Sequence, residues 1–268
     1  MEGNDCKQVA DWRLSLEENG FVTIPNALRN EEVEHLRLEC NLLSSALTSE
    51  QLERQDCVID LMASCPMRED AIERVDCNAF STIRKKQFLL SGKHTPLESW
   101  RTWEALVFSK LPSILNTLIT CSFLYFFNDH YITKPPQSDS EFSWHRDDEK
   151  QLAMVPFWES IRPYFSVWCA LDSITAENGA IKLLPISKTP PKFDYGTFEQ
   201  LSIIPSKIDS GTIVIFRSDV WHASFPNQTH SFRRVYYVQY SLDPITSSQS
   251  VSEPLNFAIP CTTPSSSN

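Results

Sequence analysis

Three observations predict a mainly β fold with flanking α-helices, built as a two-sheet jelly roll. From Phe123 onward, short apolar runs alternate with turn residues at the spacing of a sandwich or barrel. Ahead of them, apolar residues recur at helical intervals up to Leu118. No internal repeat or linker-like stretch divides the 268 residues, so a single core is the default.

Taken in order, Lys7 to Glu18 is amphipathic and is expected to form a helix that Gly20 ends. Phe21 to Pro25 then alternates as a short strand. Asn30 can cap a second helix whose first turn carries Glu31 and Glu32, where the helix dipole favours acidic groups. Residues 46 to 98 are polar with scattered apolar positions and are expected to form helices and a loop over one end of the barrel. Trp103, Leu106, Val107, Leu111 and Ile114 lie at helical spacing and predict a helix over 100–118 that buttresses the sheet. Strands are expected at 122–127, 130–134, 142–146, 165–172, 180–184, 200–204, 212–216, 221–225 and 232–241. Residues 244–268 are rich in Ser, Thr and Pro and read as a flexible tail, leaving 1–243 as the single domain.

Composition narrows the function classes. Apolar residues make up 41% of the chain and mean hydropathy is -0.27, with no apolar run near the length a membrane span needs. A formal charge of -10 disfavours nonspecific attraction to nucleic acid or anionic lipid, so neither is expected as a partner. The local cluster Arg84-Lys85-Lys86 reads as a solvated helix edge. Eight cysteines at irregular intervals, with no Cys-x-x-Cys, argue against a zinc cluster or disulfide framework and for free thiols in a reducing compartment. The polar start carries no secretory pattern and the C-terminal Ser-Ser-Asn is not a peroxisomal address, so a cytoplasmic location is expected.

The chemistry-bearing residues are His145, Asp147, His222 and Arg233. On a strand, residues two apart project from one face, so His145 and Asp147 can offer a nitrogen and a carboxylate oxygen to one ion while Arg146 points away. His222, after the apolar run Gly211 to Phe216, would complete the set from a second strand. Two His and one carboxylate form the facial set that suits non-haem Fe(II) enzymes activating oxygen. A lone His-x-Asp carries little. Two His beside apolar walls, where a polar side chain needs a partner, carry more.

Several stretches, in order, make the chain similar to the phytanoyl-CoA dioxygenase family of Fe(II)/2-oxoglutarate oxygenases. They are Glu17 to Asn26, Thr133-Lys134-Pro135-Pro136 leading into Trp144-His145-Arg146-Asp147, Val167 to Asp172, Glu177 to Pro185, and His222 to Asn227 followed by Arg233. The resemblance implies a double-stranded β-helix of cupin-like form. It implies Fe(II) bound by His145, Asp147 and His222, with 2-oxoglutarate as co-substrate and O2 as oxidant. Arg233 would grip the distal carboxylate of 2-oxoglutarate with help from Ser224. A planar guanidinium matches a carboxylate, and Arg233 is preferred for its interval from His222 to the competing candidate Arg234, one place later and facing the other side of the strand. Lys134, Tyr131 and Thr133, on the strand feeding the His-x-Asp, are further candidates for holding the co-substrate. Where the family has Gly-Ser-His after its Leu-Pro stretch, this chain reads Ile186-Ser187-Lys188, which removes any role of a His at the pocket mouth. Retention of Asp147 favours oxygenation over the halogenation carried out by relatives that lack this ligand.

The stretch from Asp148 to Glu159 is expected to arch over the metal as a substrate loop. Met154, Phe157 and Trp158 would supply an apolar, adaptable wall, or simply pin the loop. The expected reaction is oxidation of a C–H bond in a small, partly apolar metabolite, with release of succinate and CO2. Three alternatives stay open: an acyl-CoA hydroxylase of the same family, a cupin-like metal catalyst that never uses 2-oxoglutarate, and a non-catalytic protein that binds metal and 2-oxoglutarate. Oligomeric state is not encoded in any feature of the sequence.

Overall fold

The computed structural model describes residues 2–45, 98–121, 123–139, 141–153, 155–205, 208–246, 255 and 257–261. Strands β1 (Phe21–Ile24), β6 (Ile213–Arg217), β4 (Phe165–Ala170), β8 (Arg233–Ser241), β2 (Leu124–Lys134) and β9 (Ile259–Cys261) form the major sheet in that order. A minor sheet runs β3 (Phe142–His145), β7 (His222–Ser224), β5 (Ile181–Leu183). The pairings are antiparallel. Two antiparallel sheets face to face are the expected jelly roll.

Strand alternation sends side chains to two different environments. The outer face of the major sheet carries Val22, Ile24, Phe126, Val167, Ile213, Ile215, Tyr236 and Val238 into a core shared with helices. Those helices are α1 (Glu2–Asn19), α2 (Asn30–Ser45), α3 (Glu98–Ala105) and α4 (Leu111–Ile119), which contribute Leu16, Val33, Leu36, Trp103, Leu111 and Leu115. Each side chain fully buried there contributes roughly 1.5–3 kcal/mol. Polar atoms on this face are satisfied: Trp103 Nε1 donates to Tyr236 Oη at 2.8 Å, and Tyr236 Oη donates to Asp129 at 2.7 Å. Gly20, in the left-handed region at φ 80°, ends α1 as expected, its N–H bonding to the Leu16 carbonyl.

The inner face of the major sheet looks onto the minor sheet. In register it carries Lys134 beside Arg233, His130 beside Tyr237, and Asn128 beside Gln239. A bulge at Phe127 restores this parity after Phe126 has faced the helices. Apolar residues from Phe21, Trp168, Ile181, Leu183, Val214 and Val235 fill the closed part of the interior.

Four expectations need correction. The two strands at 122–127 and 130–134 are one bulged strand, with Ser122 outside the described residues. The helix at 100–118 is interrupted by a π turn at Leu106–Lys110. In place of a strand at 200–204 the chain forms a helix at Tyr195–Leu201 beside the minor sheet, because Asp194 accepts from the Thr197 N–H at 2.9 Å and caps it. Phe198 of that helix buries against Trp144, Trp221 and Ala223, leaving Ile203 only a single bridge to Leu183. The stretch 244–268 is not all flexible tail, since β9 pairs with β2 and Ile245, Phe257 and Cys261 are buried. Residues 46–97, including the basic cluster at 84–86, lie outside the described residues. Five described cysteines are free thiols, and no described helix is long and apolar enough to cross a membrane.

Candidate metal centre

His145 closes β3, and His222 opens β7 directly opposite it. Their rings lie with centroids 4.1 Å apart, tilted by 52°. Asp147 is not on the strand: it is the first residue of a short helix, Asp147–Gln151, entered through extended Arg146. The expected strand geometry is therefore replaced by a strand-to-helix corner. It nonetheless brings the three donors together, with one ligand atom from each of His145, Asp147 and His222 lying within 4.8 Å of the others.

Both imidazoles are oriented by their own backbone. His145 Nδ1 lies 2.7 Å from the Ser143 carbonyl and His222 Nδ1 lies 3.0 Å from the Val220 carbonyl. A carbonyl only accepts, so each Nδ1 carries the hydrogen and each Nε2 is left with its lone pair for an ion. His222 Nε2 is 3.6 Å from Asp147 Oδ1. Burial first, and the neighbouring His222 second, hold the His145 imidazolium well below the usual range, so the ring is neutral at physiological pH. Burial would raise the Asp147 carboxyl, but His222, His145 and hydrogen bonds from Tyr237 and Ser166 outweigh it and hold the group ionised. Two imidazoles and one carboxylate are the donor set that fits iron.

Around the second oxygen of Asp147, the Ser166 hydroxyl donates at 2.7 Å, the Tyr237 hydroxyl donates, and Gln239 Nε2 approaches at 3.3 Å. The sequence reading missed these three residues. The available signal was parity: Tyr237 and Gln239 lie four and six residues beyond Arg233, on the same face of β8.

At the far end of the same inner face, Arg233 and Lys134 stand opposite each other, 1% and 0% exposed. Arg233 Nη2 donates to the Gly179 carbonyl at 3.0 Å and the guanidinium lies over Trp168 at 5.8 Å, while Nε and Nη1 are buried without a partner. Burial depresses the guanidinium to about 9. Lys134 Nζ donates to Ser224 Oγ at 2.8 Å and to the Phe225 carbonyl. Gly179, at φ 98°, makes the approach possible, since a Cβ there would meet Phe225 O at 2.9 Å and Lys134 Cδ at 3.0 Å. Arg233, with two buried donors unfilled, and Lys134 opposite it form a cradle for an anion. Arg234 faces outward and forms a paired contact with Asp172, as the alternation required.

Tyr131 and Thr133 do not belong to this cradle. Strand parity turns them towards the helices, where Tyr131 donates to Glu39 and Thr133 Oγ1 lies 3.4 Å from Cys40 Sγ. Of the loop candidates, Met154 lies outside the described residues. Trp158 is half-buried, with Arg146 over its ring at 5.9 Å, and Phe157 lines a cavity of about 280 Å³ with Ile161, Leu242 and Pro244. Ile186–Lys188 forms a single turn, with Ile186 packed near Gly20.

Among curated proteins, a multifunctional dioxygenase, prhA of Penicillium brasilianum, is 28% identical over 121 residues, covering 41% of this chain and 39% of the relative. Two multifunctional dioxygenases named ausE, from Penicillium brasilianum and Emericella nidulans, match at 27% and 26% over the same share. The chain thus spans about two fifths of the length of the curated relatives it matches. Among solved structures, the non-heme α-ketoglutarate-dependent epimerase SnoN from nogalamycin biosynthesis superposes with a TM-score of 0.56 at 14% identity, covering 96% of both chains. EctD from S. alaskensis, solved with 2-oxoglutarate and 5-hydroxyectoine, superposes with a TM-score of 0.57 at 18% identity, covering 87% of this chain and 75% of that one. At such identities the superpositions speak to the fold, a double-stranded β-helix. The model of the phytanoyl-CoA dioxygenase family (PhyH) matches residues 16–235, most of the chain, and the protein belongs to that family.

Proposed function

We propose that this protein is an Fe(II)- and 2-oxoglutarate-dependent oxygenase acting on a small molecule, with His145, Asp147 and His222 as metal ligands and Arg233 as the 2-oxoglutarate anchor. One observation carries the reading: two imidazoles and one carboxylate form a compact set on the minor sheet and its adjoining corner, and the inner face of the major sheet, which looks onto the minor sheet, carries Arg233, a buried guanidinium with two unfilled donors. Bound Fe(II) and 2-oxoglutarate would supply oxygen activation coupled to formation of succinate and CO2. The chain's own residues bind and orient. His145 and His222 present Nε2 because their Nδ1 hydrogens are committed to backbone carbonyls. Arg233 offers two unfilled donors to a carboxylate, and Lys134 with Ser224 adds positive charge and a hydroxyl beside them. The rings of Phe216, 4.8 Å from His222, and Phe142, 6.1 Å from His145, flank the imidazoles with apolar surface and help keep water out.

The substrate we propose is a small, partly apolar metabolite whose C–H bond is hydroxylated or otherwise oxidised, with Phe157, Trp158 and the loop that includes Met154 contributing to its wall. The family's name favours a second reading, an acyl-CoA hydroxylase. Incubation with Fe(II), 2-oxoglutarate, oxygen and a panel of both substrate classes tests the proposal. Succinate above the Arg233→Ala background supports it. Turnover independent of 2-oxoglutarate points to a cupin-like catalyst, and binding of both ligands without succinate points to a non-catalytic protein.

A further inference from the structure

Resting on the metal reading above, we propose that Tyr237, Ser166 and Gln239 are positioning residues that hold Asp147 as a one-oxygen ligand. Oδ2 is surrounded by the Ser166 hydroxyl at 2.7 Å, the Tyr237 hydroxyl, and the Gln239 amide at 3.3 Å, leaving Oδ1, the oxygen nearer His222, to face the ion. A carboxylate has roughly four lone-pair sites, so an oxygen already accepting two or three hydrogen bonds has little left to give a metal.

The direction of the relay is fixed by chemistry. Asp147 can only accept, so Gln239 must present Nε2 to it and to Ser166 Oγ, 3.1 Å away. Gln239 Oε1 is then turned to accept from Asn128 Nδ2 at 3.0 Å. Asn128 and Gln239 are register partners on β2 and β8, and Ser166 pairs with Gln239 from β4, so three adjacent strands contribute to one arrangement. Ser166 and Gln239 are fully buried and Tyr237 is 4% exposed, so water cannot easily replace a lost donor. The Tyr237 ring is held between His130, 4.5 Å away, and Phe216, 6.0 Å away. Because Asp147 sits on a short helix at a corner and not within a strand, sheet hydrogen bonding does not orient its side chain. The relay does so instead.

Co(II) titration of the metal-free protein, followed by calorimetry and by the visible absorption of the bound ion, tests this without turnover. Tyr237→Phe keeps the ring and Gln239→Met keeps the volume. Each is expected to weaken Co(II) binding by about 10- to 100-fold. Each should also change the intensity of the visible bands, as the freed Oδ2 reaches the ion and raises its coordination number. The melting temperature of the metal-free protein is followed in parallel, and Ser166→Ala, which deletes one hydroxyl from the same oxygen, carries the test if either larger change unfolds the chain. Affinity within twofold of wild type and unchanged bands in these variants, with binding lost in Asp147→Ala, overturn the relay while leaving the metal reading intact. A folded wild-type protein that binds no Co(II) overturns both.

Discussion

His145 and His222 stand directly opposite each other in the register of the minor sheet, ring centroids 4.1 Å apart, each with Nδ1 tied to the carbonyl two residues before it. The pairing register therefore sets the spacing of two proposed ligands, and local backbone sets their tautomer. Asp147 joins them from a different element and owes its orientation to side chains.

Arg233 is buried with two unfilled donors, so it is expected to weaken the free protein and strengthen the 2-oxoglutarate complex. Arg233→Met should leave the free protein as stable as wild type or more so. The same change should weaken 2-oxoglutarate binding by about 10- to 100-fold, from roughly 1.5–3 kcal/mol for hydrogen bonds to a charged group. Thermal melts with and without 2-oxoglutarate check both halves, because a ligand that binds only the folded state raises the midpoint. An equal 2-oxoglutarate-induced shift in the variant would remove Arg233 from the anchor.

Asn227 is fully buried, and its Nδ2 lies 3.0, 2.7 and 2.8 Å from the carbonyls of Lys134, Pro135 and Ser231, while Oδ1 accepts from the Thr229 N–H at 3.1 Å. It pins the β7–β8 connection to the end of β2, beside the anion cradle. Asn227→Ala strands those carbonyls and should destabilise the protein by about 1–3 kcal/mol in chemical denaturation. A loss below about 0.5 kcal/mol would mean that water replaces the side chain.

Glu32 supplies a pH signature remote from the metal. It is buried between Lys110 Nζ at 2.5 Å and Arg29, whose N–H donates at 2.7 Å. Burial pushes its carboxyl up, but these partners outweigh burial and hold it below the usual range. A depressed folded-state value means the contribution is complete above the unfolded value, about 4.3, and is lost as pH falls through the lower folded value. Glu32→Gln should therefore be less stable than wild type near neutrality, with the gap closing below about pH 4. A gap independent of pH would contradict the assignment.

Much of this was legible in the sequence, for physical reasons that can be named. His145, His222 and Asp147 stood out because ionisable residues beside apolar runs demand partners. The interval from His222 favours Arg233 over Arg234; adjacent strand residues face opposite ways, and the structure has Arg233 inward and Arg234 on Asp172. The same rule, applied to β2, separates Lys134 from Thr133 and assigns Tyr131 to the helix side with Thr133. Tyr237, Gln239 and Ser166 stayed hidden because single polar residues within β-forming runs look alike until the cross-strand register is known. The Tyr195–Leu201 helix was obscured by the apolar Leu201-Ser202-Ile203-Ile204 that follows its cap. The short β9 lies in a stretch whose composition suggested no core, yet Phe257 and Cys261 find one on the outer sheet face.

The most direct test is an anomalous difference map, recorded at the iron edge, from an anaerobic crystal grown with Fe(II) and 2-oxoglutarate. The account predicts one peak bounded by His145 Nε2, Asp147 Oδ1 and His222 Nε2. A peak at another site, or none here while the three side chains keep their positions, would contradict it.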